Sequence, residues 1–264
     1  MNLKYSLGVL ISVPLLPILY VQGKKIKSTV PKLPEAKGNQ GSYSVSSERT
    51  LSIITIGEST IAGVGVQTHE EGFTGTLAKE LATALKSNIN WKVHAKSGYT
   101  AKRLNDHIIP DITENPVDLI VIGIGGNDAF ELSTPKKWSE DVRELIKNLR
   151  LKFENVPILF INMPPIKEFP AFTSLIRFTI GNLVDILGKE LVKIVADFEN
   201  VYCYARVVRS NYFIERYKLN ITPADFFSDG VHPSKITYQI WAKDVATYIM
   251  ESKEIKNHLI HDKN

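Results

Sequence analysis

The run from Val117 to Ile124 (Val-Asp-Leu-Ile-Val-Ile-Gly-Ile) is almost wholly apolar. A strand with one wetted face alternates apolar and polar residues. An unbroken run implies a strand covered on both faces, as in parallel sheets flanked by helices. Four shorter runs suit strands: Leu51–Ile56, Trp91–Ala95, Pro157–Ile161 and Val201–Tyr204. Between them lie segments with helical patterning. Glu70–Lys86 repeats Phe73, Leu77, Leu81 and Leu85 at helical spacing and carries acids in its first turn. Further helices are predicted around Ala101–Ile109, over Trp138–Phe153, over Leu175–Ala196 and over Ser234–Met250. Five strands alternating with helical crossovers predict a parallel, right-handed, three-layer α/β/α domain.

The N-terminus departs from this pattern. Leu7 to Val21 are nearly all apolar, with Lys4 before them and Lys24, Lys25 and Lys27 after. The run is shorter than the roughly 20 residues of a comfortable span, and it contains Pro14 and Pro17. Its length also fits the apolar core of a cleaved signal peptide, but no small-x-small cleavage site follows. Residues 1–23 are therefore read as an uncleaved membrane anchor. The lysine cluster on its C-terminal side favours a cytoplasmic domain, a small bias for one short segment; cleavage would make the domain periplasmic or secreted. Residues 24–50 hold Pro31, Pro34, Gly38, Gly41 and several serines, and read as a flexible linker. The folded domain is expected over 51–250, with a polar tail at 251–264. A net charge of +4, with lysines and acids interspersed, gives no nucleic-acid surface. The single cysteine, Cys203, excludes an internal disulfide framework.

Three strand ends carry unusual residues: Gly57-Glu58-Ser59, then Ala95-Lys96-Ser97-Gly98-Tyr99-Thr100, then Gly125-Gly126-Asn127-Asp128. In a parallel sheet these ends share one edge, where open α/β sheets place their ligand crevices. A fourth piece, Ser228-Asp229-Gly230-Val231-His232-Pro233-Ser234, precedes the last helix. Asp229 and His232 are three residues apart, so one turn can aim the carboxylate at the imidazole. A serine hydroxyl is a weak nucleophile without an adjacent base. His232 can take the proton of Ser59, while Asp229 holds the ring's tautomer and stabilises the imidazolium. The backbone N–H groups of Ser59 and Gly98 and the side-chain amide of Asn127 could stabilise the oxyanion. Each piece alone has a plainer reading: Ser59 as a helix cap, Asn127-Asp128 as a turn, His232 as a surface residue.

The four blocks, Gly57-Glu58-Ser59, Gly98, Gly126-Asn127-Asp128 and Asp229-x-x-His232, resemble those of the SGNH, or GDSL-type, serine hydrolases. The resemblance spans Leu51 to about Met250 in the family's order. It implies a flavodoxin-like five-stranded sheet, Ser59 as nucleophile, His232 as base, Asp229 as orienting acid, and Gly98 and Asn127 as oxyanion donors. Two features depart from the pattern. Glu58 stands where the family has aspartate, and the second block lacks the asparagine often found upstream of its glycine.

Other chemistries fit less well. Gly57 to Gly65 does not spell G-x-G-x-x-G and lacks a P-loop lysine. Ile61 breaks the G-x-S-x-G elbow. The remaining histidines have no metal-ligand spacing, and no metal or organic cofactor is implied. The apolar stretch Met163–Phe172 follows the fourth strand, and Phe169 and Phe172 are candidates for lining an acyl groove. The function expected is ester hydrolysis through an acyl-enzyme, on a lipid or other small-molecule ester. The alternatives are a catalytically silent binding module for acyl or acetyl ligands, or an acyltransferase using the same site. Oligomeric state is left open.

Overall fold

The computed structural model describes residues 3–206 and 209–261. Its centre is a six-stranded sheet formed by β1 (Gln40–Tyr43), β2 (Thr50–Gly57), β3 (Asn88–Ala95), β4 (Leu119–Gly123), β5 (Ile158–Phe160) and β6 (Val201–Cys203), ordered β1-β3-β2-β4-β5-β6. Strands β2 to β6 pair in parallel, as expected. The count of five strands is corrected by β1, which pairs antiparallel with β3 from Gln40↔Lys92 to Tyr43↔Ile89. This strand lies within the stretch read as a linker. Gln-Gly-Ser-Tyr carries no apolar alternation, and it joins the sheet as an antiparallel edge on an otherwise parallel core, a common arrangement.

Successive strand residues face opposite sides, and each side has its own core. Ile54, Ile56, Ile120, Ile122, Ile158 and Phe160 pack towards α4 (Ala101–His107), α6 (Pro135–Lys152) and α7 (Ser174–Val195). Leu51, Ile53, Leu119, Val121, Leu159 and Ile161 pack towards α3 (Phe73–Leu85) and α9 (Lys235–Glu251). Helix α3 starts later than its pattern suggests, so Glu70 and Glu71 precede it and its first turn holds no acid. Two short helices not foreseen are α5 (Gly126–Phe130) and α8 (Ser210–Tyr217). Lys253–His261, read as tail, form α10 and bury Ile255 and Leu259 against the α3/α9 side. The last three residues of that tail, 262–264, lie outside the described residues.

At the N-terminus α1 (Leu3–Ser12) and α2 (Leu16–Thr29) are joined by one 3-10 turn at Val13–Leu15. Tyr5–Thr29 is long and apolar enough to cross a membrane, with a mean hydropathy of 1.7 in its most apolar window, none of which is buried; a signal sequence has the same character. The helix lies along α7, where Thr173 Oγ1 donates to Gln22 Oε1 at 2.6 Å. Between them is an apolar cavity of about 540 Å³, lined by Leu7, Ile11, Leu132, Phe178 and Leu183 among others.

Candidate active site

Register brings the motif-bearing strand ends to one edge: Gly57 is level with Ala95 on β3 and with Gly123 on β4. Beyond Gly57 the chain makes a compact turn. Glu58 N donates to Gly123 O at 3.1 Å, Ala62 N to Glu58 O at 2.8 Å, and Val64 N to Ser59 O at 3.1 Å. The next helix begins only at Phe73, so Ser59 caps no helix. Gly57 is required by crowding. A Cβ there would lie 2.3 Å from Gly123 O and 2.6 Å from Ile61 Cγ1. Gly57→Ala is accordingly expected to destabilise the protein by about 1–3 kcal/mol, the usual range for overpacking. Thermal melts with an unchanged midpoint would count against that packing.

Asp229 and His232 are in contact. Asp229 Oδ2 and His232 Nδ1 are 2.7 Å apart, with the Asp229 side chain wholly buried and His232 partly exposed. The other carboxylate oxygen accepts from Val231 N at 2.9 Å and from His232 N at 2.7 Å. Burial works to raise the Asp229 carboxyl, but the bonds from His232 and Val231 outweigh it, and the group lies below its ordinary range. Ser234 is the N-cap residue of α9, in keeping with the helix start expected at Pro233-Ser234. The turn holding Ser59 packs on this segment. Tyr238 of α9 donates to Val64 O at 2.8 Å, and Lys235 pairs with Glu71 at 2.5 Å. A cavity of about 40 Å³ is lined by Glu58 and Thr60 from one piece and by Val231 and Pro233 from the other. Among the described residues, Ser59 Oγ and His232 form no hydrogen bond. Catalytic bonds of this kind are often long in ligand-free enzymes.

Of the expected oxyanion donors, Gly98 sits in the β3–α4 loop with φ +81°, a left-handed conformation that suits glycine, and the space beside its Cα is open. The loop is tied down by Glu35, which accepts from Ser97 N at 2.8 Å and Lys96 Nζ at 3.1 Å. Asn127 is placed differently from the simple expectation. Its Nδ2 donates to Glu58 Oε2 at 2.6 Å and to Tyr99 O at 3.1 Å, so both amide hydrogens are engaged. Glu58 also accepts from Gly126 N at 2.8 Å and Asn127 N at 2.9 Å. Complete burial pushes its carboxyl up to about 7, against the opposing pull of those bonds and of nearby His232. Asp128, which accepts from Ala101 N at 3.2 Å, is likewise raised to about 7 by burial and by the Glu58 charge. Motif reading alone passed over Glu58 as a contact of Asn127. The only signal was the glutamate in place of the usual aspartate.

Phe169 and Phe172 are both buried, in the core layer beside α7. Phe169 also lines the small cavity beside the Ser59 turn, together with Phe227. The rings form a chain: Phe227 to Phe169 at 5.5 Å, Phe169 to Phe172 at 5.2 Å, and Phe172 to Phe130 at 5.5 Å between centroids. Phe130 is exposed, two residues from Leu132, which lines the cavity under the N-terminal helix.

Solved structures share the fold at low identity. TesA superposes with a TM-score of 0.56 at 18% identity, covering 76% of this chain and 98% of its own. The psychrotrophic esterase EstA from Pseudoalteromonas sp., inhibited by monoethylphosphonate, gives 0.55 at 20%, covering 78% and 99%. A catalytic mutant of Axe2, an acetylxylan esterase from Geobacillus stearothermophilus, gives 0.56 at 16%, covering 75% and 94%. No curated protein matches the chain in sequence. A family model does, from residue 55 to residue 240, which takes in the Ser59 turn, the β3–α4 loop, the Asn127 turn and the Asp229–His232 pair. With most of its length matched, the chain belongs to the GDSL-like lipase/acylhydrolase family and is, at that level, a carboxylic ester hydrolase.

Proposed function

We propose that the chain is a serine hydrolase of acyl esters, working through Ser59, His232 and Asp229 and held at a membrane by its N-terminal helix. The observation that carries this reading is the buried Asp229 carboxylate bonded to His232 at 2.7 Å just before α9, whose Tyr238 donates to Val64 O beyond the Ser59 turn. Ser59 Oγ attacks the ester carbonyl carbon as its proton passes to His232 Nε2. The tetrahedral oxyanion is met by the N–H groups of Ser59 and Gly98 and the amide of Asn127. Its collapse breaks the ester C–O bond, and His232 returns the proton to the leaving alcohol. Water then attacks the acyl-Ser59 ester in the same way and releases the acid. An alcohol in place of that water would make the protein an acyltransferase.

The run of rings from Phe227 to Phe130 supports an acyl chain lying from the Ser59 turn towards the surface beside the N-terminal helix. Phe169→Ala with Phe172→Ala tests it on p-nitrophenyl esters. The expected result is a loss of about tenfold or more in kcat/KM for octanoyl, in the range of lost pocket contacts, with acetyl nearly unchanged. Equal losses on both esters would assign the two rings to core packing alone.

A second reading, a binding module for acyl or acetyl ligands, draws support from the missing Ser59–His232 bond and from the engaged amide of Asn127. A fluorophosphonate probe on the full chain in detergent separates the two. Labelling that vanishes in Ser59→Ala and falls in His232→Ala supports the hydrolase, whereas unlabelled, folded protein supports the binder.

A further inference from the structure

Glu58 adjoins the nucleophile, is fully buried and has no part in the reaction sequence above. Its carboxylate gathers three donors from the Gly126-Asn127 turn: Gly126 N on Oε1, and both Asn127 N and Asn127 Nδ2 on Oε2. Its own N–H is bonded to Gly123 O, so it is held from the β2 side and the β4 side together. Tyr99 O is a carbonyl, which only accepts, and Glu58 Oε2 already accepts from Asn127 N, so the amide turns its nitrogen to both. The two bonds are unequal. The bond to Glu58 is short, at 2.6 Å, and charge-assisted when the carboxylate is ionised; the bond to Tyr99 O is neutral and longer, at 3.1 Å. Tyr99 follows Gly98 directly, so the weaker bond points into the loop that carries another oxyanion donor.

We propose that Glu58 is a positioning residue that grips one hydrogen of the Asn127 amide, leaving the other to move from Tyr99 O to the oxyanion as it forms. This role rests on the hydrolase reading and deepens it. It accounts for the engaged amide without removing Asn127 from the reaction: the strong bond is retained through the cycle and only the weak neutral one is exchanged. It also gives the glutamate a use, since the side chain reaches past the backbone N–H groups of the turn to the amide itself. The titratable groups facing Glu58 are His232 and Asp128; burial holds the Glu58 carboxyl up at about 7, with the three N–H donors and His232 pulling against it.

The test is a double-mutant cycle on the full chain in detergent, reading kcat and KM with p-nitrophenyl butyrate for wild type, Glu58→Gln, Asn127→Ala and the pair. Glu58→Gln is expected to lower kcat about 10- to 100-fold with KM changed less than about twofold, as for loss of an interaction realised in the transition state. With Asn127 already alanine, the same change should lower kcat less than about threefold, because the group it positions is gone. Equal losses in both backgrounds, or no loss in the first, would overturn the role. Should Glu58→Gln melt below the assay temperature, the same cycle is run below that melting point under the same criterion. Wild-type protein inert to the fluorophosphonate is a different outcome: it removes the hydrolase reading, and this role with it.

Discussion

Ser59→Ala is expected to lower kcat by on the order of 10⁴- to 10⁶-fold, the range seen when a triad nucleophile is removed. Thr60, next in the chain, lines the small cavity with Phe169, Phe226 and Trp241. The change should leave the fold intact, because Ser59 Oγ makes no hydrogen bond among the described residues and the turn is held by main-chain bonds through Ser59 O and Glu58 O. Melting temperature within a degree or two of wild type, combined with lost turnover and lost fluorophosphonate labelling, is the result expected. A residual rate within tenfold of wild type would sink Ser59 as nucleophile.

Asp229→Asn should lower kcat by about 10³- to 10⁴-fold, comparable with the loss when the orienting acid of such a triad becomes an amide. The reason can be followed atom by atom. Asp229 Oδ1 accepts from the N–H groups of Val231 and His232, and an asparagine oxygen can keep both bonds and the local turn. Its nitrogen then replaces Oδ2 and donates to His232 Nδ1. The ring proton is forced onto Nε2, the nitrogen that has to receive the proton of Ser59. A neutral amide also cannot stabilise the imidazolium. KM should change little, and adding His232→Ala should produce almost no further loss, since the two residues act as a unit. Activity of Asp229→Asn near wild type between pH 7 and 8 would show that His232 works without this partner.

The layered α/β core was legible because burial on both faces leaves an imprint in composition. Val117–Ile124 has no wet side, and the intervening segments carry one apolar stripe each. The edge strand β1 left no such imprint: its place comes from backbone bonds to β3 and from Gly41 lying under the Trp91 ring, neither of which shows as apolar periodicity. Helix α10 was hidden for a related reason, as it buries Ile255 and Leu259 while Lys253, Glu254 and Asn257 stay exposed.

Within the site, the Asp229–His232 contact was readable as three-residue spacing in a turn, a local geometry that chain connectivity enforces. The part played by Glu58 was not. Its bonds to Gly126 and Asn127 join residues 68 and 69 positions apart, and no local pattern encodes which acceptor a distant amide will find. Sequence by itself thus determined the strand–helix alternation, the apolar N-terminal segment and which side-chain types stand at the strand ends, since these follow from periodicity and side-chain chemistry. Tertiary structure alone decided that β1 closes the sheet edge, that the Ser59 turn meets the segment before α9, and that the Asn127 amide is held between Glu58 and Tyr99. Each of those outcomes depends on parallel register and helix packing bringing remote residues within a few ångströms.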